Sequence, residues 1–113
     1  TIRQSATTAD DSGTISSLRY KRDIGSTGDA TNRCMQLQPA SFRFAGSHDD
    51  GDQHFGVIAE EADQVLPEVV KYNNDGQPDK VRYVEMVPLL LKRLQEQQAE
   101  INELHQRVDA LAS

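Results

Sequence analysis

Residues 84–113 read VEMVPLLLKRLQEQQAEINELHQRVDALAS, and the fold of the whole chain turns on this stretch. With Val87 placed at heptad position a, the a positions are Val87, Leu94, Ile101 and Val108. The d positions are then Leu90, Gln97, Leu104 and Leu111, so that only Gln97 interrupts an apolar seam. The pattern predicts one long helix that packs against copies of itself. A lone helix would leave the seven apolar seam residues in water. The roughly 1.5–3 kcal/mol that each contributes on burial would not be realised, while the entropy cost of ordering the backbone would remain. β-Branched residues at a with Leu at d favour a parallel dimer, whereas Gln in a d layer is compatible with three strands. The heptads alone therefore leave the oligomeric state open. An amide at Gln97 that faces the axis can hydrogen-bond only to its own copies, to trapped water or to an ion, and so would set register.

The competing reading of such a seam is a single helix lying on a globular core. Against it, Glu100, Glu103 and Arg107 flank the distal seam with charge, and no Phe, Tyr or Trp follows Gln95. The upper turns differ, because Leu89, Leu90 and Leu91 widen the apolar arc and predict contact with a folded body. Pro88 is expected in the first helical turn, where a missing N–H costs nothing, which sets the helix start between Val84 and Val87.

Working outward, a chain of 113 residues leaves too little beside this helix for a large core, and small size favours association. The net charge of −6, with acidic residues dispersed, speaks against a nucleic-acid surface. Cys34 is the single cysteine, which excludes an intrachain disulfide or a cysteine-based zinc site and leaves it as a small buried hydrophobe. The longest apolar run is the five residues Val87 to Leu91, too short to span a membrane, and Thr1 to Asp11 lacks a signal-peptide core. The expectation is a soluble protein with no membrane contact. A start at Thr1 rather than Met suggests a segment of a longer parent.

Residues 1–15, rich in Ser, Thr, Asp and Gly, read as a linker or the end of an upstream stalk. Residues 16–83 read as a small α+β body, and 84–113 as its coiled-coil helix. Within the body, Ala30, Cys34 and Leu37 fall at helical spacing behind a cap at Thr27 or Asp29. Ser41 to Phe44 alternates as a strand, and Phe55 to Ile58 is expected to be a buried strand. Glu60 to Val65 suits a helix with an acidic first turn, closed by Pro67. Glu68 to Tyr72 and Lys80 to Tyr83 flank Asn73, Asn74, Asp75 and Gly76, a hairpin signal.

Candidate chemistry is sparse. His48, Asp49, Asp50, Asp52 and His54 match neither an EF-hand nor a zinc spacing and read as a solvated loop, so no metal is expected. No glycine-rich phosphate loop is present, and His48, His54 and His105 form no defensible serine triad. No cofactor is implied. Ser16 and Lys21 remain. A lysine amine serves as base for a serine hydroxyl when burial or neighbouring positive charge favours its neutral form, and Arg19 and Arg22 stand nearby in sequence. The bland alternative is a basic strand edge.

Four segments in fixed order narrow these options: SSLRYKRDI at 16–24, LQPASFRF at 37–44, FGVIAEEADQVLPEVV at 55–70 and DGQPDKVRYVEMVPLLLKRLQEQQAEINEL at 75–104. Together they resemble the C-terminal intramolecular chaperone domain of phage endosialidases, tailspikes and tail fibres, and the related domain of myelin regulatory factor. The resemblance runs from Ser16 to the C-terminus. It implies a parallel homotrimer that helps an upstream stalk of the same polypeptide to trimerise and fold, during virion tail assembly in the host cytoplasm. It also implies self-release by a serine-lysine dyad. The family pattern is Ser, four residues, Lys, with Arg two before the Lys, and Ser16, Arg19 and Lys21 match it; Ser17 stands where the family often has Asp. By resemblance Ser16 is the nucleophile, Lys21 moves the proton, and the bond cut joins Ile15 to Ser16. A permanent trimerisation cap that never cleaves is the alternative. An adaptor offering its groove to a foreign helix fits less well, because a complete a/d seam prefers its own copies.

Overall fold

The computed structural model describes residues 13–112, so most of the linker expected over residues 1–15 lies outside the described residues. The chain is α+β: short helices, two small antiparallel hairpins and one long helix. The first helix, α1 (Ala30–Cys34), opens with Ala30 N–H bonded to the Thr27 carbonyl at 3.3 Å. Asp29 holds the N-cap position without a side-chain cap bond. Its carboxylate instead takes the Arg33 guanidinium one turn later, at 2.9 Å.

Strands β1 (Ala40–Phe42) and β2 (His54–Gly56) form the first hairpin, with Ala40 opposite Gly56 and Phe42 opposite His54. The Phe42 and His54 rings stack at 5.8 Å between centroids. Strand alternation then turns Phe55 to the other face, and two strands alone cannot cover both faces. Phe55 is 79% exposed, which corrects the expectation of a buried strand over Phe55 to Ile58.

Helix α2 (Ala59–Val65) carries Glu60 and Glu61 in its first turn, where carboxylates meet the positive end of the helix dipole. Pro67 ends it and starts a single 3₁₀ turn that delivers the chain to β3 (Val70–Tyr72). The second hairpin pairs β3 with β4 (Pro78–Val81), with a register shift between Lys71 and Tyr72. Its turn is held by Asn73, whose side-chain oxygen accepts from the backbone N–H of Asp75 and of Gln77, both at 2.9 Å. Gly76, at φ +80°, takes the left-handed conformation that this turn requires.

One residue, Arg82, separates β4 from α3 (Tyr83–Ala112). Its N–H bonds to the Val69 carbonyl at 2.7 Å, so the base of the second hairpin fixes the point of departure of the helix. The helix begins earlier than Pro88 alone indicated. Pro88 lies inside it, past the first turn, and its missing N–H leaves the Val84 carbonyl without the usual helical donor.

The core is small and sits between these elements. Cys34 and Thr31 of α1 meet Ala62 and Leu66 at α2, Val69 and Val70 at the second hairpin, and Met86 and Leu89 of α3. The Thr31 hydroxyl is satisfied by Thr27 Oγ1 at 2.7 Å. Burial raises the Cys34 thiol above its ordinary pKa, in keeping with a small core hydrophobe. Around the core, Arg33 grips Glu68 through two parallel bonds of 2.8 and 2.6 Å and ties α1 to the turn after α2.

Only the upper turns of α3 rest on this body. The apolar a and d residues all face solvent, from 43% exposed at Leu90 to 87% at Leu111. The wide apolar arc is thus divided: Met86 and Leu89 go to the body, and the heptad seam is left bare.

Candidate functional site

Ser16 and Lys21 lie on either side of a single 3₁₀ turn, Leu18–Tyr20. This segment is a turn, not the basic strand edge considered above. Ser17 is the reason the chain turns here, because its side-chain oxygen caps the turn by accepting from Arg19 N–H at 3.4 Å. Two backbone bonds close the turn, Tyr20 N–H to the Ser17 carbonyl at 3.0 Å and Lys21 N–H to the Leu18 carbonyl at 3.1 Å. The reversal brings the Lys21 side chain back over Ser16, and Lys21 Nζ donates to Ser16 Oγ at 3.0 Å. Both residues are exposed in the single chain.

The flanking cations are otherwise engaged. Arg19 donates to Ser17 Oγ at 3.1 Å and lies 4.5 Å above the Tyr20 ring. Arg22 is directed to its neighbour Asp23 at 3.7 Å. Neither guanidinium contacts the Ser16–Lys21 pair, so local positive charge acts on it only at a distance. Ser17 as a cap is not a reading the sequence alone gives, although serine hydroxyls commonly accept from a backbone N–H two residues on in short turns.

Chemically, a serine hydroxyl bonded to a lysine amine can act as a nucleophile when the amine is unprotonated. Ile15 immediately precedes Ser16 and is 78% exposed, which leaves its carbonyl flank uncovered by the body. The second group of expected functional residues, Val87, Leu90, Leu94, Gln97, Ile101, Leu104, Val108 and Leu111, forms the bare stripe of α3, with Gln97 half-buried. The Ser16–Lys21 segment and this stripe lie on separate elements.

The polar loop before β2 forms local bonds. Asp49 and Asp50 each accept from a backbone N–H two residues on, Asp50 also pairs with His54 at 2.8 Å, and these contacts hold the Asp50 carboxyl below its usual range. No helix among the described residues is long and apolar enough to cross a membrane.

Residues 16–71 match the protein family described as chaperone of endosialidase, and the match opens on Ser16 itself. No curated protein matches the chain.

Proposed function

Because residues 16–71 place the chain in the chaperone of endosialidase family, we propose that it is an intramolecular chaperone working as a parallel homotrimer. In this reading residues 16–83 are the chaperone body and 84–113 the coiled coil, which aligns three copies so that the stalk joined to them folds in register. The observation that carries it is the apolar seam of α3, broken only at Gln97, whose apolar residues from Val87 to Leu111 are exposed. Apolar surface in a continuous stripe marks a protein-binding face, and a heptad stripe is matched best by copies of itself.

The chaperone then releases itself at the Ile15–Ser16 bond. Lys21, as the neutral amine, takes the proton of Ser16 Oγ while that oxygen attacks the Ile15 carbonyl carbon. Collapse of the tetrahedral adduct breaks the peptide C–N bond. The Ser16 amine leaves with the proton returned by Lys21, and Ile15 is left as an ester on Oγ. Water hydrolyses that ester, giving an Ile15 carboxylate and restoring the Ser16 hydroxyl. The 3.0 Å contact between Nζ and Oγ supports this assignment.

A permanent cap that holds the trimer without cutting it is the second reading. Two points favour it: by the resemblance above, Ser17 stands where the family often has Asp, and the Lys21 side chain is exposed in the single chain. The deciding experiment is a time course of intact mass across pH for wild type, Ser16→Ala and Lys21→Ala, with oligomeric state measured by sedimentation. Loss of residues 1–15 from wild type, faster at higher pH and absent in both variants, is expected while all three remain trimeric. Uncut wild type at every pH would leave the cap, and a monomer at all concentrations would remove both readings.

A further inference from the structure

An open cleft of about 720 Å³ lies between the first hairpin and the start of α3. Phe42, Phe44, Phe55, Ile58, Val81 and Tyr83 supply its apolar lining; Phe55 is largely exposed and Tyr83 about half so. Glu60, Asp79 and Lys80 also line it, giving an excess of one negative charge. Tyr83 stands seven residues before Leu90 and therefore occupies the next d position up the heptad stripe. The cleft thus continues the bare seam beyond its upper end.

The same chain carries a segment of complementary character. Ile15, Leu18, Tyr20 and Ile24 are each between 62 and 78% exposed, so their own body does not cover them. Between them stand Arg19, Lys21 and Arg22 against Asp23, a net positive stretch in a chain of net charge −6. Apolar side chains alternating with cations fit an aromatic cleft with acidic groups in its lining.

We propose that in the trimer the aromatic cleft of one copy receives residues 15–24 of a neighbouring copy. This rests on the trimeric reading above and adds to it the identity of the group that encloses the dyad. Docking would bury Ile15 and Leu18 and strip water from Lys21, which favours the neutral amine needed for attack. Each copy would then be cut only when another copy is correctly seated beside it.

The test adds one cysteine to each of two copies of the full chain, Leu18→Cys in one and Ile58→Cys in the other, folded together and mildly oxidised. The native Cys34, 4% exposed, is shielded from reaction. A covalent dimer with the mass of one chain of each kind is expected, at least about tenfold above that from Leu18→Cys mixed with Val108→Cys, whose added cysteine lies near the far end of α3. Adding Phe55→Asp to the Ile58→Cys chain should remove the cross-link and leave the trimer intact, since Phe55 bears on solvent in the single chain. Sedimentation of the same samples separates the two ideas. Absence of a trimer defeats the chaperone reading, and the docking with it. A trimer that cross-links no better than the control pair overturns the docking alone.

Discussion

A methyl group placed on Gly56 would overlap the Tyr83 hydroxyl and lie 3.3 Å from the Phe42 ring. That hydroxyl accepts from Val57 N–H at 3.0 Å, so an added side chain would crowd the bond that joins the first hairpin to the long helix. Gly56→Ala should cost about 1–3 kcal/mol through overpacking. Gly25→Ala, which would meet no atom within 4 Å, should cost far less; thermal melts of the two variants would show the difference. Glu68 offers a second test. The Arg33 hydrogen bonds draw its carboxyl down from 4.5 to about 2. A depressed carboxylate contributes stability above its ordinary pKa and loses that contribution as the pH falls through the folded value. The melting temperature of wild type should therefore exceed that of Glu68→Gln above pH 4.5, and the gap should close towards pH 2. The bridge is partly solvated, so the gap will be small. Neither contact was legible in the sequence. Val57 and Tyr83 are 26 residues apart and Arg33 and Glu68 are 35 apart, and nothing local in either pair names its partner.

At the scale of elements, α3 was legible because heptad spacing is a local property, and the second hairpin because Asn73 to Gly76 can hardly read otherwise. Element ends were less so. The start of α3 depends on Arg82 bonding back to Val69, and the exposure of Phe55 depends on how many strands lie beside it. A short apolar run does not reveal either. The Ser16–Lys21 pair was identified by type and resemblance, while the turn that joins it depends on the Ser17 cap. For the helix itself, Ile101→Asp should place a carboxylate from each copy into one apolar layer and dissociate the trimer, read by sedimentation. Retention of an equally heat-stable trimer would mean that the seam does not face the axis. Gln97→Leu should act in the opposite direction and raise the melting temperature, because an axial amide favours register over strength. A clear fall would show that Gln97 serves the body instead.

At the scale of the whole molecule, the contacts that fold the single chain are distinct from its bare seam. Met86 and Leu89 tie the helix to the body, while the seam turns away from it and stays bare. The Tyr83 hydroxyl, bonded to Val57, lies on the stripe that the seam continues. Seen mechanically, that bond is a key in a shaft: it locks the angle at which the helix leaves the body, and in the proposed trimer it would set the angle at which three bodies are presented around a common axis. One alanine inserted after Lys92 would leave the clamp and the upper turns in place but rotate everything beyond them by about 100°. The distal layers could still pair, yet the bodies would be indexed to the wrong angle. Such a chain should trimerise on its lower helix and fail to cut itself, whereas a seven-residue insertion at the same point should restore both phase and cleavage. Intact mass and sedimentation of the two insertions would show whether the helix transmits angle as well as proximity.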